Sequence, residues 1–161
     1  MLNDYMRYAF EEVDKANQKK MKIKKLNENA QMPLRGSDGA AGYDLFSVVE
    51  ASINPGETVK IPTGIAIALP KDTFGAIYAR SGMAIKRGLR PANCVGVIDE
   101  DYRGEVIVAL HNDSNETQNI YVGDRIAQLI IQEYTIVAMS WEEELDSTVR
   151  GEGGFGSTGS N

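Results

Sequence analysis

One cysteine, one histidine and no apolar run long enough to cross a bilayer set the first limits on this 161-residue chain. Cys94 has no partner for an internal disulfide and is too little for a structural zinc site. The chain therefore reads as a protein of a reducing compartment, intracellular and either cytoplasmic or nuclear. His111, in "VALHN", is the only imidazole open to a Ser-His-Asp or Cys-His arrangement, and no nucleophile motif accompanies it. A hydrogen-bonded or exposed residue at a strand end is the expectation for it. Positive charge is scarce as well: Lys+Arg 17 against Asp+Glu 23 leaves a net charge of -6. That excludes a general nucleic-acid or membrane-surface binder, which needs a basic field to gather phosphates or anionic lipid. An anionic ligand must instead be held by local arginines and backbone N–H groups.

What is present suits a single domain, since 42% hydrophobic residues over this length supply one core. Residues 1–20 differ in texture: Leu2, Tyr5, Met6, Ala9, Phe10 and Val13 recur at helical spacing, as on one face of a short amphipathic helix. Asp4, Glu11, Glu12 and Asp14 interrupt the segment as a targeting signal. In "KKMKIKK", residues 19–25, Met21 and Ile23 alternate with lysines like a solvated strand entering a sheet. Residues 21–148 then form the domain, and 149–161 a glycine-rich arm.

From Met21 onward, short stretches rich in Val, Ile, Thr and Tyr are separated by Gly, Pro, Asn and Asp, the punctuation of an antiparallel all-β domain. The expected strands lie in "ETVKIPTGIAIALP", with a break at Pro62 and Gly64, and in "FGAIYAR", "CVGVID", "GEVIVALHN", "NIYVG", "RIAQLIIQEY" and "TIVAMSW". None of them carries a sustained helical period, and so many short strands suggest a sandwich, a jelly roll or a closed barrel.

Three stretches carry chemistry. "ARSGMAIKRG" offers Arg80 for charge, Ser81 for a hydroxyl and Gly82 for an exposed backbone N–H, set on a sheet. "NCVGVIDEDYRGE" places Asn93 and Gly96 in a β-hairpin with Asp99, Asp101 and Tyr102 at its exit. There the carboxylates are either turn residues or a general base for water, and Tyr102 offers a flat face to a sugar or base. Within the hairpin, Cys94 reads as a small buried residue. The tail "RGEGGFGSTG" contains Gly151, Gly153 and Gly156 in a dinucleotide-like spacing, without the βαβ context that would give that spacing meaning. It is either a disordered end or an arm that closes over a nucleotide, Arg150 forking onto phosphate and Phe155 stacking on a base.

Read together and in order, "AAGYDLFS" (40–47), "RSGMA" (80–84), "GVIDEDYRGE" (96–105), "GDRIAQLI" (123–130) and "RGEGGFGSTG" (150–159) resemble the motifs of the homotrimeric dUTPases, enzymes that hydrolyse deoxyuridine triphosphate. The likeness runs from Met21 to the C-terminus. It implies an all-β jelly-roll subunit, a homotrimer with shared active sites, Mg2+ as cofactor, and dUTP as substrate, cleaved to dUMP and pyrophosphate. By the same resemblance, Asp99 activates the attacking water and Tyr102 packs beneath the deoxyribose. Asn93, Gly96, Val97 and Ile98 read uracil, while Arg80, Ser81, Gly82 and Gln128 hold phosphates. Arg150, Phe155, Gly156, Ser157 and Thr158 close over the ligand, and Asp44 meets the metal through water. Asp101, Arg103, Asp124 and Arg125 sit inside motifs as turn, ion-pair or interface residues. A related deaminase of deoxycytidine triphosphate would need a glutamate about where Ala109 stands. A regulatory binding protein, with nucleotide ordering the arm and residues 1–20 docking a partner, is the alternative from another class.

Overall fold

A computed structural model describes residues 19–154, so the helix expected within residues 1–20 falls almost wholly outside the described residues. Eleven strands and one helix make up the described part: β1 (Lys22–Lys25), β2 (Leu34–Arg35), β3 (Tyr43–Phe46), β4 (Ala51–Ile53), β5 (Thr58–Ala68), β6 (Thr73–Tyr78), α1 (Ser81–Arg87), β7 (Leu89–Pro91), β8 (Gly96–Ile98), β9 (Glu105–Asn112), β10 (Gln118–Ile120) and β11 (Arg125–Glu133). Every strand pairing is antiparallel. The orders are β1-β5-β9-β7 in one sheet, β2-β3-β11-β6-β8 in a second, and β10-β4 in a small third. This is the jelly-roll class expected from the many short strands.

The period-2 pattern explains the layering. In β9, Val106, Val108, Leu110 and Asn112 point inward and are buried, while Ile107 faces out and is 45% exposed. The core between the sheets also contains Leu45, Ile53, Ile61, Leu89, Ile126 and Leu129, all fully buried. Each such side chain contributes about 1.5–3 kcal/mol through the apolar surface it removes from water. Asn112 is fully buried among them, and its amide is satisfied on both ends. It donates to the carbonyls of Ile53 (2.8 Å) and Glu116 (2.8 Å) and accepts from the Ser114 backbone N–H (2.9 Å) and hydroxyl (2.7 Å).

The break expected at Pro62 and Gly64 is a register shift between Pro62 and Ala66 in the pairing of β5 with β9. Gly64 has φ +68, its N–H reaches Glu105 Oε1 (2.8 Å), and its carbonyl accepts from Leu26 (2.7 Å). The lysine-rich start behaves as read: β1 pairs with β5, Met21 and Ile23 pack against the core, and Lys22, Lys24 and Lys25 stay exposed.

Three expectations need correction. Strands β2, β3, β4 and β7 went unforeseen because they are short and contain a single β-branched residue, Ile53, among them. Ser81 and Gly82 lie on a helix rather than a sheet: α1 has seven residues, too few for a helical period to declare itself, and Gly88 ends it with φ +65. "TIVAMSW", residues 135–141, forms no strand. After Tyr134, whose hydroxyl donates to Glu100 (3.0 Å), Ile136, Met139 and Trp141 are 81%, 93% and 102% exposed. Its β-branched and aromatic side chains favour extended backbone, but a strand also needs an edge to pair with, and no strand among the described residues pairs with it.

An added Cβ at Gly64 would lie 2.8 Å from Asn27 Cβ and 2.9 Å from Val48 Cγ1, in a left-handed conformation. Gly64→Ala should therefore lower stability by about 3 kcal/mol, read as a shifted denaturation midpoint at unchanged slope. An unchanged midpoint would contradict this account of the bulge.

Candidate active site

Two clefts hold the residues singled out by the sequence, and they lie on different parts of the chain. The first, of about 390 Å³, is lined by Gly42, Asp44, Arg80, Ser81, Gly82, Arg125 and Gln128, among others. Strand β3 brings Asp44 beside β11, where it stands opposite Gln128 in register. The Asp44 carboxylate accepts from Arg80 Nε (2.7 Å) and Arg125 Nη1 (3.2 Å), and Arg80 also donates to the Arg125 carbonyl (3.3 Å). Asp44 is the most enclosed of the three, with side-chain exposures of 12%, 27% and 50% for Asp44, Arg80 and Arg125. Two guanidinium groups thus share one carboxylate, leaving local positive charge on a chain that is acidic as a whole.

The helix start adds donors to this cleft. The first bond of α1 runs from Ala84 N–H to the Arg80 carbonyl (3.0 Å), so the N–H groups of Ser81 and Gly82 precede the helical ladder. Both residues are exposed. Gln128 Nε2 donates to the Ala79 carbonyl (2.9 Å), and a Cβ on Gly42 would come 2.8 Å from Gln128 Oε1, so glycine leaves room for that amide. Arg125 has the ion-pair role expected of it, with Asp44; its place opposite Phe46 in the β3 register, two residues from Asp44, is what brings the pair together.

The second cleft, of about 210 Å³, is lined by Asn93, Gly96, Val97, Ile98, Asp99, Tyr102 and Glu105, with apolar neighbours Ile77, Val106 and Ile107. Strand β8 is the end strand of its sheet, so its outer edge presents backbone donors and acceptors to whatever enters. Asp99 is exposed, and its carboxylate has no hydrogen-bond or ion-pair partner among the described residues. Beyond it the chain turns: Tyr102 N–H donates to the Asp99 carbonyl (3.1 Å), and the Tyr102 hydroxyl donates to the Glu105 carbonyl (3.1 Å). A Cβ on Gly104 would fall on the Tyr102 hydroxyl. Arg103 donates to the carbonyls of Glu100 (2.7 Å) and Tyr102 (2.8 Å), and Asp124 accepts from Tyr121 N–H (3.0 Å), the turn roles expected of both.

The expected hairpin around Asn93 is instead a crossing between sheets, because β7 pairs with β9 while β8 pairs with β6. Cys94, expected to be buried, is exposed and has φ +62. Four residues, Ala92 to Val95, connect β7 to β8, and the left-handed conformation of Cys94 within them turns its side chain out of the core. His111 follows expectation: its Nδ1 pairs with Thr58 Oγ1 (2.9 Å), and its Nε2 lies 3.4 Å from Asp113.

The two clefts share no lining residue. Strand β6 separates them: Ile98 pairs with Gly75, which puts Asp99 beside one end of β6, and Arg80 follows the other end at Tyr78. Six residues of extended chain between those positions amount to roughly 20 Å. Arg150 joins neither cleft; its Nε donates to the Gly153 carbonyl (2.7 Å) within its own turn. Phe155, Gly156, Ser157 and Thr158 lie outside the described residues. Among the described residues no group of three or more His, Cys, Asp or Glu side chains is placed to hold a metal ion. The one carboxylate lining the first cleft, Asp44, offers oxygen donors of the type that suits a hard cation.

Comparison with known proteins agrees with the five motifs. The dUTPase family model matches residues 28–159. A deoxyuridine 5'-triphosphate nucleotidohydrolase of Oryza sativa subsp. japonica is 48% identical over 139 residues, spanning 86% of this chain and 80% of that protein. Among solved structures, a Staphylococcus bacteriophage 80alpha dUTPase variant with dUpNHpp superposes with a TM-score of 0.81 at 30% identity, covering 89% of this chain and all of that one. A dUTPase variant from phage phi11 of S. aureus, solved with details of a structural Mg(II) ion, gives 0.74 at 27% identity, covering 80% of this chain and 99% of that one.

The shared carboxylate makes a prediction of its own. Asp44→Asn should bind free pyrophosphate about threefold more tightly in metal-free titration calorimetry, because two arginines lose their internal counter-charge. Weaker binding would mean that Asp44 serves the anion chiefly by aiming Arg80.

Proposed function

Because the chain belongs to the dUTPase family and hydrolyses dUTP to dUMP, we propose that Asp99 supplies the base for that reaction and that each active site is completed by a second subunit. The supporting observation is the Asp99 carboxylate, which has no partner among the described residues and lines a narrow cleft edged by the end strand β8. A carboxylate without an internal partner is free to orient water and accept its proton as the water attacks the α-phosphorus. The bond to the bridging oxygen breaks, and pyrophosphate departs.

Uracil enters against β8, where backbone N–H and C=O groups of Gly96 to Ile98 match its O4 acceptor and N3–H donor and oppose the reversed pattern of cytosine. The Tyr102 ring, steadied by its hydroxyl bond to Glu105, packs beneath the deoxyribose and leaves no room for a 2'-hydroxyl. Arg80, Ser81, Gly82 and Gln128 hold the phosphates in line for attack. Since roughly 20 Å of β6 separates Arg80 from Asp99 in one chain, these groups come from neighbouring subunits of a homotrimer. Residues 149–161 act as an arm: Arg150 leaves its turn to reach the terminal phosphate, Phe155 stacks on uracil, and Gly156, Ser157 and Thr158 cover the phosphates. Mg2+ neutralises phosphate charge when bound, held mainly by substrate oxygens and by Asp44 through water. A nucleoside triphosphate substrate sets this work inside the cell, in cytoplasm or nucleus.

With Mg2+ and a panel of dUTP, dTTP, dCTP and UTP, pyrophosphate should be released from dUTP far faster than from the rest. Asp99→Asn should keep its affinity for dUTP and lose roughly a hundredfold to ten-thousandfold in kcat. A variant that still turns over near the normal rate would remove Asp99 from the base role. Deleting residues 150–161 should leave oligomer and melting temperature unchanged while abolishing most turnover; normal activity after deletion would sink the closing-arm account.

A further inference from the structure

The loop that carries Asn93 into the second cleft is anchored from behind by an ion pair that the five motifs do not include. Arg90 on β7 stands opposite His111 on β9, and Asp113 follows His111 by two residues. Arg90 grips Asp113 with both sides of its fork, Nε to Oδ2 at 2.6 Å and Nη2 to Oδ1 at 3.1 Å. Its remaining Nη1 donates forward to the Pro91 carbonyl (3.3 Å) and, at longer range, to the Ala92 carbonyl (3.5 Å). The hydrogen bond to Asp113 raises the guanidinium pKa above its ordinary value; partial burial opposes this, and the charges of Asp113 and Cys94 add to it.

The Pro91 carbonyl is the hinge of the loop. It also accepts the Cys94 N–H (3.0 Å), closing the turn that holds Asn93, while Ala92 N–H is tied to the Ala109 carbonyl (2.8 Å). Immediately after the turn, Cys94 adopts φ +62, a left-handed conformation that costs an L-residue free energy and that glycine adopts freely. Two residues later Gly96 begins β8, close enough to Asn93 that an added Cβ would lie 3.6 Å from its Nδ2 and 3.2 Å from Ile77 Cβ. Strain inside the loop and an external clamp on the carbonyl at its root are the two halves of one arrangement.

We propose that Arg90, oriented by Asp113, is a positioning residue for base recognition: it fixes the turn from Pro91 to Cys94 and so sets Asn93 and β8 in the geometry that reads uracil. This rests on the reading of that cleft as the uracil site. The clamp acts through bidentate geometry, which a lysine cannot reproduce.

The test compares steady-state kinetics and melting temperature for four intact proteins: the natural chain, Arg90→Ala, Arg90→Ala with Cys94→Gly, and Gly96→Ala as a direct alteration of the cleft. Arg90→Ala should raise KM for dUTP about fivefold, with a smaller change in kcat and little change in melting temperature, as suits a partly exposed pair. Adding Cys94→Gly should recover most of that loss, because glycine relieves the strain that the clamp opposes. If Arg90→Ala leaves KM unchanged while Gly96→Ala raises it, the cleft reads the base and Arg90 does not position it, so the proposal fails. If neither raises KM, the reading of the cleft fails and the proposal falls with it. A lower melting temperature and lower kcat at unchanged KM would show Arg90 to be merely structural, and would equally overturn it.

Discussion

The antiparallel strand Thr73–Tyr78 keeps the Asp99 carboxylate apart from the Arg80 guanidinium, and much of the chemistry follows from that separation. A strand hydrogen-bonded on both sides, here to β11 and β8, does not shorten. Asp99, the proposed base, and Arg80, the proposed phosphate holder, are therefore fixed at opposite ends of a rigid spacer. On that reading a single chain displays two half-sites, one for a planar base and a sugar and the other for phosphates. Joining half-sites from different copies, as proposed, would make activity depend on assembly and would leave each half free to be built on stiff sheet rather than on a deformable cleft.

Charge follows the same economy. The whole molecule is acidic at -6, yet one cleft is locally cationic because Asp44 gathers two arginines. The carboxylate aims those arginines and stops them repelling one another while the site is empty. It also keeps the cleft from being a general trap for anions. Arg90 and Asp113 repeat the device behind the base-reading loop, where a bidentate pair organises backbone carbonyls instead of phosphate. The enclosed Asp44 pair and the half-exposed Arg90–Asp113 pair both set direction, and exposure keeps the second one's share of stability small.

Much of this was legible in the sequence. Strands β5, β6, β9 and β11 lie in stretches rich in Val, Ile, Thr and Tyr bounded by Gly, Pro, Asn or Asp, so composition and punctuation revealed them, and Pro62 with Gly64 marked the bulge. The residues proposed for the site stood out as candidates because turn chemistry and motif order cluster them: Asp99 and Tyr102 bracket one turn, and Arg80 to Gly82 form one helix start. Helix α1 hid in a motif too short for periodicity. The segment at 135–141 has strand composition but lacks a partner edge, which local sequence cannot supply. The proposed division of the site came from the resemblance alone, since linear order places Arg80 only nineteen residues before Asp99 and says nothing of the strand geometry between them.

Subunit mixing tests that division most directly. Chains carrying Asp99→Asn and chains carrying Arg80→Ala, each nearly inactive alone, are unfolded together and reassembled at equal ratio. If neighbouring subunits complete each site, about a quarter of the sites in a random mixture pair an intact Asp99 half with an intact Arg80 half, and dUTP hydrolysis returns to that fraction. Activity no greater than the average of the two parents would contradict the account, and would place both halves of the working site within one chain.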